Sequence, residues 1–200
     1  MTNYEIKNLI DFVKDVLKGY DHFIKNGIVV FDFKKVNAKT ITKFLNYILL
    51  AGPTGLFCVR KDITTGKIIN IIDGATRISC LCYLLNDQIA KSICDEKTAN
   101  SIMFDVRIGK FVEINDTIPD FEIFYYIKPY DLINTISLNR KISELRNNCN
   151  NSEKIIKILL DSNKTLMRYY VPVAYICDIN KNESSNTDTN IYTLLNSKLS

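Results

Sequence analysis

Residues 67–81 constrain the fold of this chain more than any other stretch. Residues 68–72 form a short run of β-branched side chains, which is typical of a buried strand. Asp73-Gly74 is a turn signal, and the apolar residues from Ile78 onward have helical spacing as far as about Ala90. The sequence therefore predicts a strand, a tight turn and a helix in immediate succession.

Such a succession has the chemistry of a phosphate site. A glycine lets the backbone approach a ligand closely, and the free N–H groups at the start of a helix attract anions. In the first interpretation, Gly74, Ala75 and Thr76 hold a phosphate and Arg77 clamps it with its planar cation, while Asp73 orients Arg77 or positions water. In the second, Asp73 caps the helix and Arg77 is a solvated surface charge.

The remaining pattern predicts an α/β (α+β) fold in a single domain, residues 1–200, in which helices flank a small mixed sheet. A capping box at residues 2–5 is expected to start a first helix that ends at Gly19. Asn37 is expected to cap a second helix, which stops at residues 51–53. Strands are predicted at residues 28–31, 55–60, 67–72, 102–108, 112–114 and 171–176. Residues 121–127 are rich in aromatic side chains and are predicted to form a strand or an extended packing segment.

Two helices near the end of the chain are predicted to form an antiparallel hairpin. They cover residues 131–146 and 152–168, and the hairpin, residues 130–170, is inserted before the last strand. Residues 180–190 are polar and of low complexity, so we expect them to be mobile. Residues 191–196 have a last, short helical pattern.

Composition bears on the ligand class, the cellular location and the presence of a zinc site. The net charge of +4 and pI of about 8.6 are compatible with nucleotide or nucleic-acid ligands and require neither. No apolar run reaches the length of a membrane span, and the N-terminal pattern is not that of a signal peptide, so a cytoplasmic location is expected. The six cysteines are scattered and His22 is the only histidine, which argues against a structural zinc site.

Several segments in order resemble the ParB/sulfiredoxin-like N-terminal domain of GmrSD-type modification-dependent restriction enzymes, long described as a domain of unknown function. That family carries a strand, the motif D-G-Q-Q-R-L-T and a helix, where this chain has Asp73-Gly74-Ala75-Thr76-Arg77-Ile78-Ser79. Its helix, G-x-P-x-G-like break and strand are similar to residues 45–59 here, and its I-P-V strand and terminal helix are similar to residues 171–176 and 191–200.

The chain departs from the family at several positions. Both motif glutamines are replaced, by Ala75 and Thr76, and the glycine pair expected after Asn196-Ser197 is missing. The tyrosine-glutamine-arginine signature near the first strand and the histidine-containing nuclease domain are also missing from the sequence. By motif position the resemblance transfers Asp73, Gly74 and Arg77, with Asn196 and Ser197 as a second nucleotide-contacting element.

The resemblance implies a domain that binds and hydrolyses nucleoside triphosphates, with Mg²⁺ accompanying the nucleotide, and that regulates DNA cleavage. Its partner would be a separately encoded nuclease or another protein. Asp73 and Arg77 would then be the catalytic residues of any hydrolysis, a separate expectation that the lost glutamines weaken. The alternative is a non-catalytic interaction protein that keeps the fold while binding another protein. A third hypothesis is DNA binding through Lys34, Lys35, Lys39 and Lys43, although charged helix faces are usually only solvated.

Overall fold

A mixed four-stranded sheet carries most of the fold. The computed structural model describes residues 2–25, 33–85, 96–114 and 117–177, and within them helices and strands form an α+β fold, as expected. The sheet has the order β1 (Thr2–Asn8), β7 (Tyr170–Cys177), β2 (Phe57–Lys61) and β3 (Ile68–Asp73). Strands β2 and β7 are parallel and the other neighbours are antiparallel, so the sheet is mixed, as predicted.

Three short strands form a second sheet, whereas the sequence predicted a single sheet for the whole chain. These strands are β4 (Ile102–Asp105), β5 (Lys110–Glu113) and β6 (Tyr126–Ile127), in the antiparallel order β5-β4-β6. The strand predicted to reach Ile108 ends at Asp105 because that carboxylate accepts the Arg107 N–H and starts a turn. Residues 121–127, predicted as a strand or an extended packing segment, form a strand only in their last two residues, since a 3-10 turn (Ile123–Tyr125) precedes them.

The described helices are α1 (Leu9–Lys25), α2 (Ala38–Leu49), α3 (Ala75–Leu85), α4 (Glu96–Ser101), α5 (Pro129–Ile133), α6 (Thr135–Asn148) and α7 (Ser152–Met167). Asn37 caps α2, as predicted, by accepting the Thr40 N–H. The single helix predicted over residues 131–146 is wrong, because it breaks at Asn134. The Asn134 side chain accepts the N–H groups of Ile136 and Ser137 and so starts a new helix, α6.

The prediction for the N-terminus is also wrong. Residues 2–8 pair along their whole length with β7, and Asn8 replaces the predicted capping box by accepting the N–H groups of Ile10 and Asp11. Helix α1 continues through the buried Gly19 to Lys25. A glycine inside a helix costs only about 1 kcal/mol, which the burial of an apolar helix face readily offsets.

The main hydrophobic core lies between the four-stranded sheet and the helices that pack on it. Phe12 of α1 and Phe57 of β2 meet there with ring centroids 5.2 Å apart. None of the described helices is long and apolar enough to cross a membrane, and the five described cysteines form no disulfide with one another. Predicted features outside the described residues are the strand at 28–31, the end of the third helix at Ala90, the segments 180–190 and 191–196, and both Asn196 and Ser197.

One side chain joins α2 to the second sheet. Asn46 donates to the Phe111 carbonyl and accepts the Phe111 N–H, both at 2.8 Å. We expect Asn46→Ala to lower the free energy of unfolding by about 2 kcal/mol, because two backbone groups of β5 lose their partner. Urea unfolding measures the change, with the exposed helical residue Asn139→Ala as control. Equal stability of the two variants would contradict this role of Asn46.

Candidate functional site: the cleft between helices α2 and α3

The start of α3 is held by the guanidinium of Arg77. Its Nη1 donates to the Thr54 carbonyl, and its Nη2 donates to the Leu56 carbonyl at 2.9 Å and to Asp73 Oδ2 at 3.3 Å. The guanidinium carbon also lies 4.7 Å from the centre of the Phe57 ring, a cation–π distance. Arg77 therefore joins the loop after α2 to the first turn of α3, and it is not the solvated surface charge of the second interpretation.

Two glycines form the slot that admits this guanidinium. A Cβ on Gly55 would lie 2.9 Å from Arg77 Nη1, and one on Gly74 would lie 2.8 Å from Phe57 Cδ1 and 3.1 Å from Arg77 Nη2. Both glycines have left-handed backbone, with φ of +73° and +88°, a region that side chains rarely adopt. Here the group that approaches the Asp-Gly turn closely belongs to the protein itself.

The carboxylate of Asp73 is engaged in the same turn. Its Oδ1 accepts the Gly74 N–H at 2.7 Å and its Oδ2 faces Arg77. Gly74 is buried, so its amide is bonded internally and closed to an outside ligand. Asp73, Gly74 and Arg77 are thus brought together as expected, but their polar groups satisfy each other and the neighbouring loop.

An open cleft lies on the other side of Arg77, between α2 and α3. Its volume is about 820 Å³, within the size range of small-molecule sites. Thr76 and Arg77 line it from α3, and Lys39, Lys43 and Tyr47 line it from α2. Thr76 is exposed at the mouth of the cleft, where its hydroxyl is accessible.

The cleft has two uncommitted cations. Lys39 and Lys43 are four residues apart, so they lie on one face of α2. Both are exposed, and neither makes an ion pair or side-chain hydrogen bond with any residue that the structure describes. With Arg77, which is ion-paired with Asp73, they place three cations on the cleft, and none of the described lining residues is a carboxylate.

Aromatic and apolar side chains provide the rest of the lining. Phe44 is half-buried, Tyr47 is 43% exposed and Leu50 is 80% exposed. The Tyr47 ring packs directly on Gly52, where a Cβ would overlap it. The Tyr169 hydroxyl donates to the Gly52 carbonyl, and burial raises the pKa of that hydroxyl. The Tyr47 ring is therefore held in place with one side open to the cleft.

The sequence identified Thr76 and Arg77 of this lining as site residues, but it did not identify the α2 side of the cleft. It assigned Lys39 and Lys43 to a DNA-binding patch, and the structure places both on the cleft, beside the predicted residues Thr76 and Arg77. The one available signal was the pair of lysines four residues apart on an amphipathic helix. Their proximity to Thr76 is a tertiary feature, because it depends on how α2 and α3 pack.

The cleft residues do not fit a metal ion held by the protein itself. Mg²⁺ prefers carboxylate and phosphate oxygens, and none of the lining residues carries a carboxylate. No cluster of three or more metal-ligating side chains occurs in residues 2–25, 33–85, 96–114 and 117–177.

His22 and Cys82 are of two residue types that often act as a base and a nucleophile. His22 Nδ1 lies 2.8 Å from the Nζ of Lys67, the residue that precedes β3. Burial strongly raises the pKa of the Cys82 thiol, which keeps it protonated.

Comparison of the chain with family models, with curated proteins and with solved structures gives no match.

Proposed function

We propose that the cleft between α2 and α3 binds a nucleotide. The single observation that carries this proposal is the combination, in one cavity of about 820 Å³, of two unpaired lysines with an open aromatic side chain. The phosphates would contact Lys39 and Lys43, with Thr76 donating its hydroxyl and Arg77 adding positive potential. The base would stack on Tyr47, since aromatic faces accept any nucleobase.

The proposal moves the phosphate contacts away from the Asp-Gly turn. Gly74 is buried, and Arg77 already donates to two carbonyls. Arg77 is therefore a positioning residue for the cleft, and the lysines are the phosphate ligands. Any magnesium ion would enter bound to the phosphates of a nucleoside triphosphate, where it neutralises their charge.

Hydrolysis is not part of the proposal. Water activation needs a free base or a metal-bound oxygen at the γ-phosphate, and both oxygens of Asp73 accept hydrogen bonds from the chain itself. Nucleotide binding without turnover suits a regulatory domain, such as one that acts on a separately encoded nuclease.

The alternative function is a non-catalytic interaction protein. One observation favours it. The polar groups of Asp73, Gly74 and Arg77 form hydrogen bonds with one another and with the neighbouring loop of the same chain. A melting temperature that no nucleotide changes, together with a defined protein partner in a pull-down, would support this alternative over nucleotide binding.

The proposal is tested by thermal shift and calorimetry with each nucleoside triphosphate, with and without Mg²⁺. A nucleotide at a hundred times its Kd should add about 2.7 kcal/mol to the free energy of unfolding. Inorganic triphosphate is expected to bind more weakly, because it forgoes base stacking. Absence of binding by any nucleotide would refute the proposal.

Replacing both lysines should remove most of the affinity. We expect Lys39→Ala/Lys43→Ala to weaken nucleotide binding about tenfold or more, because two charge-assisted contacts are lost. The matched control is Lys14→Ala/Lys154→Ala, which removes two exposed helical lysines outside the cleft. Equal affinity of the two double variants would contradict the assigned phosphate contacts.

A further inference from the structure

Two smaller cavities neighbour the nucleotide cleft around the end of α2. The second cavity, of about 310 Å³, shares Asn46 and Leu50 with the cleft. The third cavity, of about 440 Å³, shares Asp161 and Thr165 with the second. We call this row of three neighbouring cavities, from α3 past Leu50 to the end of α7, the groove.

Positive charge is concentrated along the groove. Among the described residues that line it, the cations are Lys39, Lys43, Arg77, Lys110, Lys164 and Arg168, and the carboxylate is Asp161. Arg77 is ion-paired with Asp73, which leaves five unpaired cations. The whole chain, by contrast, has 26 basic and 22 acidic residues. The ratio of five to one in the described lining therefore reflects segregation of charge and not overall composition, and it complements a polyanion.

The cations beyond the cleft are free to bind. Lys110, Lys164 and Arg168 are exposed, and their side chains have no ion pair or hydrogen bond within the described part of the chain. This separates them from Arg107, which is bonded to Asp105 and Glu122. The groove cations are thus available for phosphates.

Aromatic and apolar side chains also line the groove. Tyr47 and Leu50 are exposed at the first junction, and Tyr169 is half-buried in the third cavity. Cations that follow a backbone, interleaved with aromatic seats for bases, are the usual means of binding a single strand. Bases stacked inside a duplex cannot enter such concave seats, so the lining favours an unpaired strand.

We infer that the groove binds a single-stranded nucleic acid, with one nucleotide of the strand seated in the α2–α3 cleft. This inference rests on the proposed function, since it uses the same cleft, and it extends that function by naming an oligonucleotide as the ligand class. Lys110, Lys164 and Arg168 contact the phosphates that follow the seated nucleotide.

The experiment is fluorescence anisotropy with labelled 15-mers, oligo(dT) and oligo(U), and with a 15-bp duplex, from 50 to 300 mM salt. Both single strands should bind more tightly than the duplex. Lys164→Ala/Arg168→Ala should weaken single-strand binding about tenfold at 50 mM salt and reduce the salt slope by about 1.4, at roughly 0.7 for each lost phosphate contact. Asp161→Asn should tighten binding, since it removes the carboxylate of the described groove lining.

Two controls make each outcome decisive. Mononucleotide binding by Lys164→Ala/Arg168→Ala should equal that of the unaltered chain, because neither residue lines the cleft. Lys14→Ala/Lys154→Ala should leave strand binding unchanged. Strand binding that is unaffected by the Lys164/Arg168 change, absent, or weaker than duplex binding overturns the inference. If mononucleotides still bind in that case, the proposed function stands; if they do not, both fail.

Discussion

Replacing Arg77 with alanine is expected to lower the free energy of unfolding by about 3–5 kcal/mol. The carbonyls of Thr54 and Leu56 lose a charged donor, and Asp73 loses its partner. Thr54 is buried, so water cannot easily replace the lost bond. For a chain of this size the melting temperature should fall by about 10 °C or more. Urea denaturation with far-UV circular dichroism measures the change.

The variant Arg77→Lys distinguishes the contribution of the planar guanidinium from that of the positive charge alone. Lysine keeps the positive charge but lacks the planar fork that reaches two carbonyls and the Phe57 face together. We therefore expect Arg77→Lys to recover less than half of the lost stability. If Arg77→Ala were as stable as the unaltered chain, the guanidinium would have no structural role and would be released as a direct ligand contact.

Gly74→Ala should be the next most damaging change, at about 3 kcal/mol. An alanine there would adopt a left-handed backbone at a cost of roughly 1–2 kcal/mol, and its Cβ would press on the buried Phe57 ring and on Arg77. The ring cannot yield without disturbing the core between the sheet and α1, where it contacts Phe12. Chemical denaturation measures the loss of stability.

Gly66→Ala is the matched control for this clash. Gly66 also has a left-handed backbone, with φ of +66°, but a Cβ there meets nothing within 4 Å. Gly66→Ala should therefore lower the free energy of unfolding only by the cost of the left-handed backbone, about 1 kcal/mol. The difference between the two variants isolates the contact with Phe57 and Arg77, and equal losses would show that no such contact limits the turn.

Local chemistry was sufficient to predict elements whose hydrogen bonds and apolar spacing are near in sequence. Strands β2 and β3, the Asn37 cap of α2 and the strand–turn–helix at Asp73 all have this local origin. The errors arose where distant partners intervened. Residues 2–8 form a strand because β7, over 160 residues away, offers seven pairs, and long-range pairing of this kind leaves little trace in the local pattern.

The same division applies to the candidate site. The sequence by itself determined that an arginine follows an Asp-Gly turn in the first turn of a helix. Only the tertiary structure decided what that arginine binds, because the Thr54 and Leu56 carbonyls come from a loop more than twenty residues earlier. It likewise decided that Lys39 and Lys43 face Thr76 across a cleft. Side-chain partners depend on how elements pack, and packing brings together residues whose spacing in the sequence carries no sign of it.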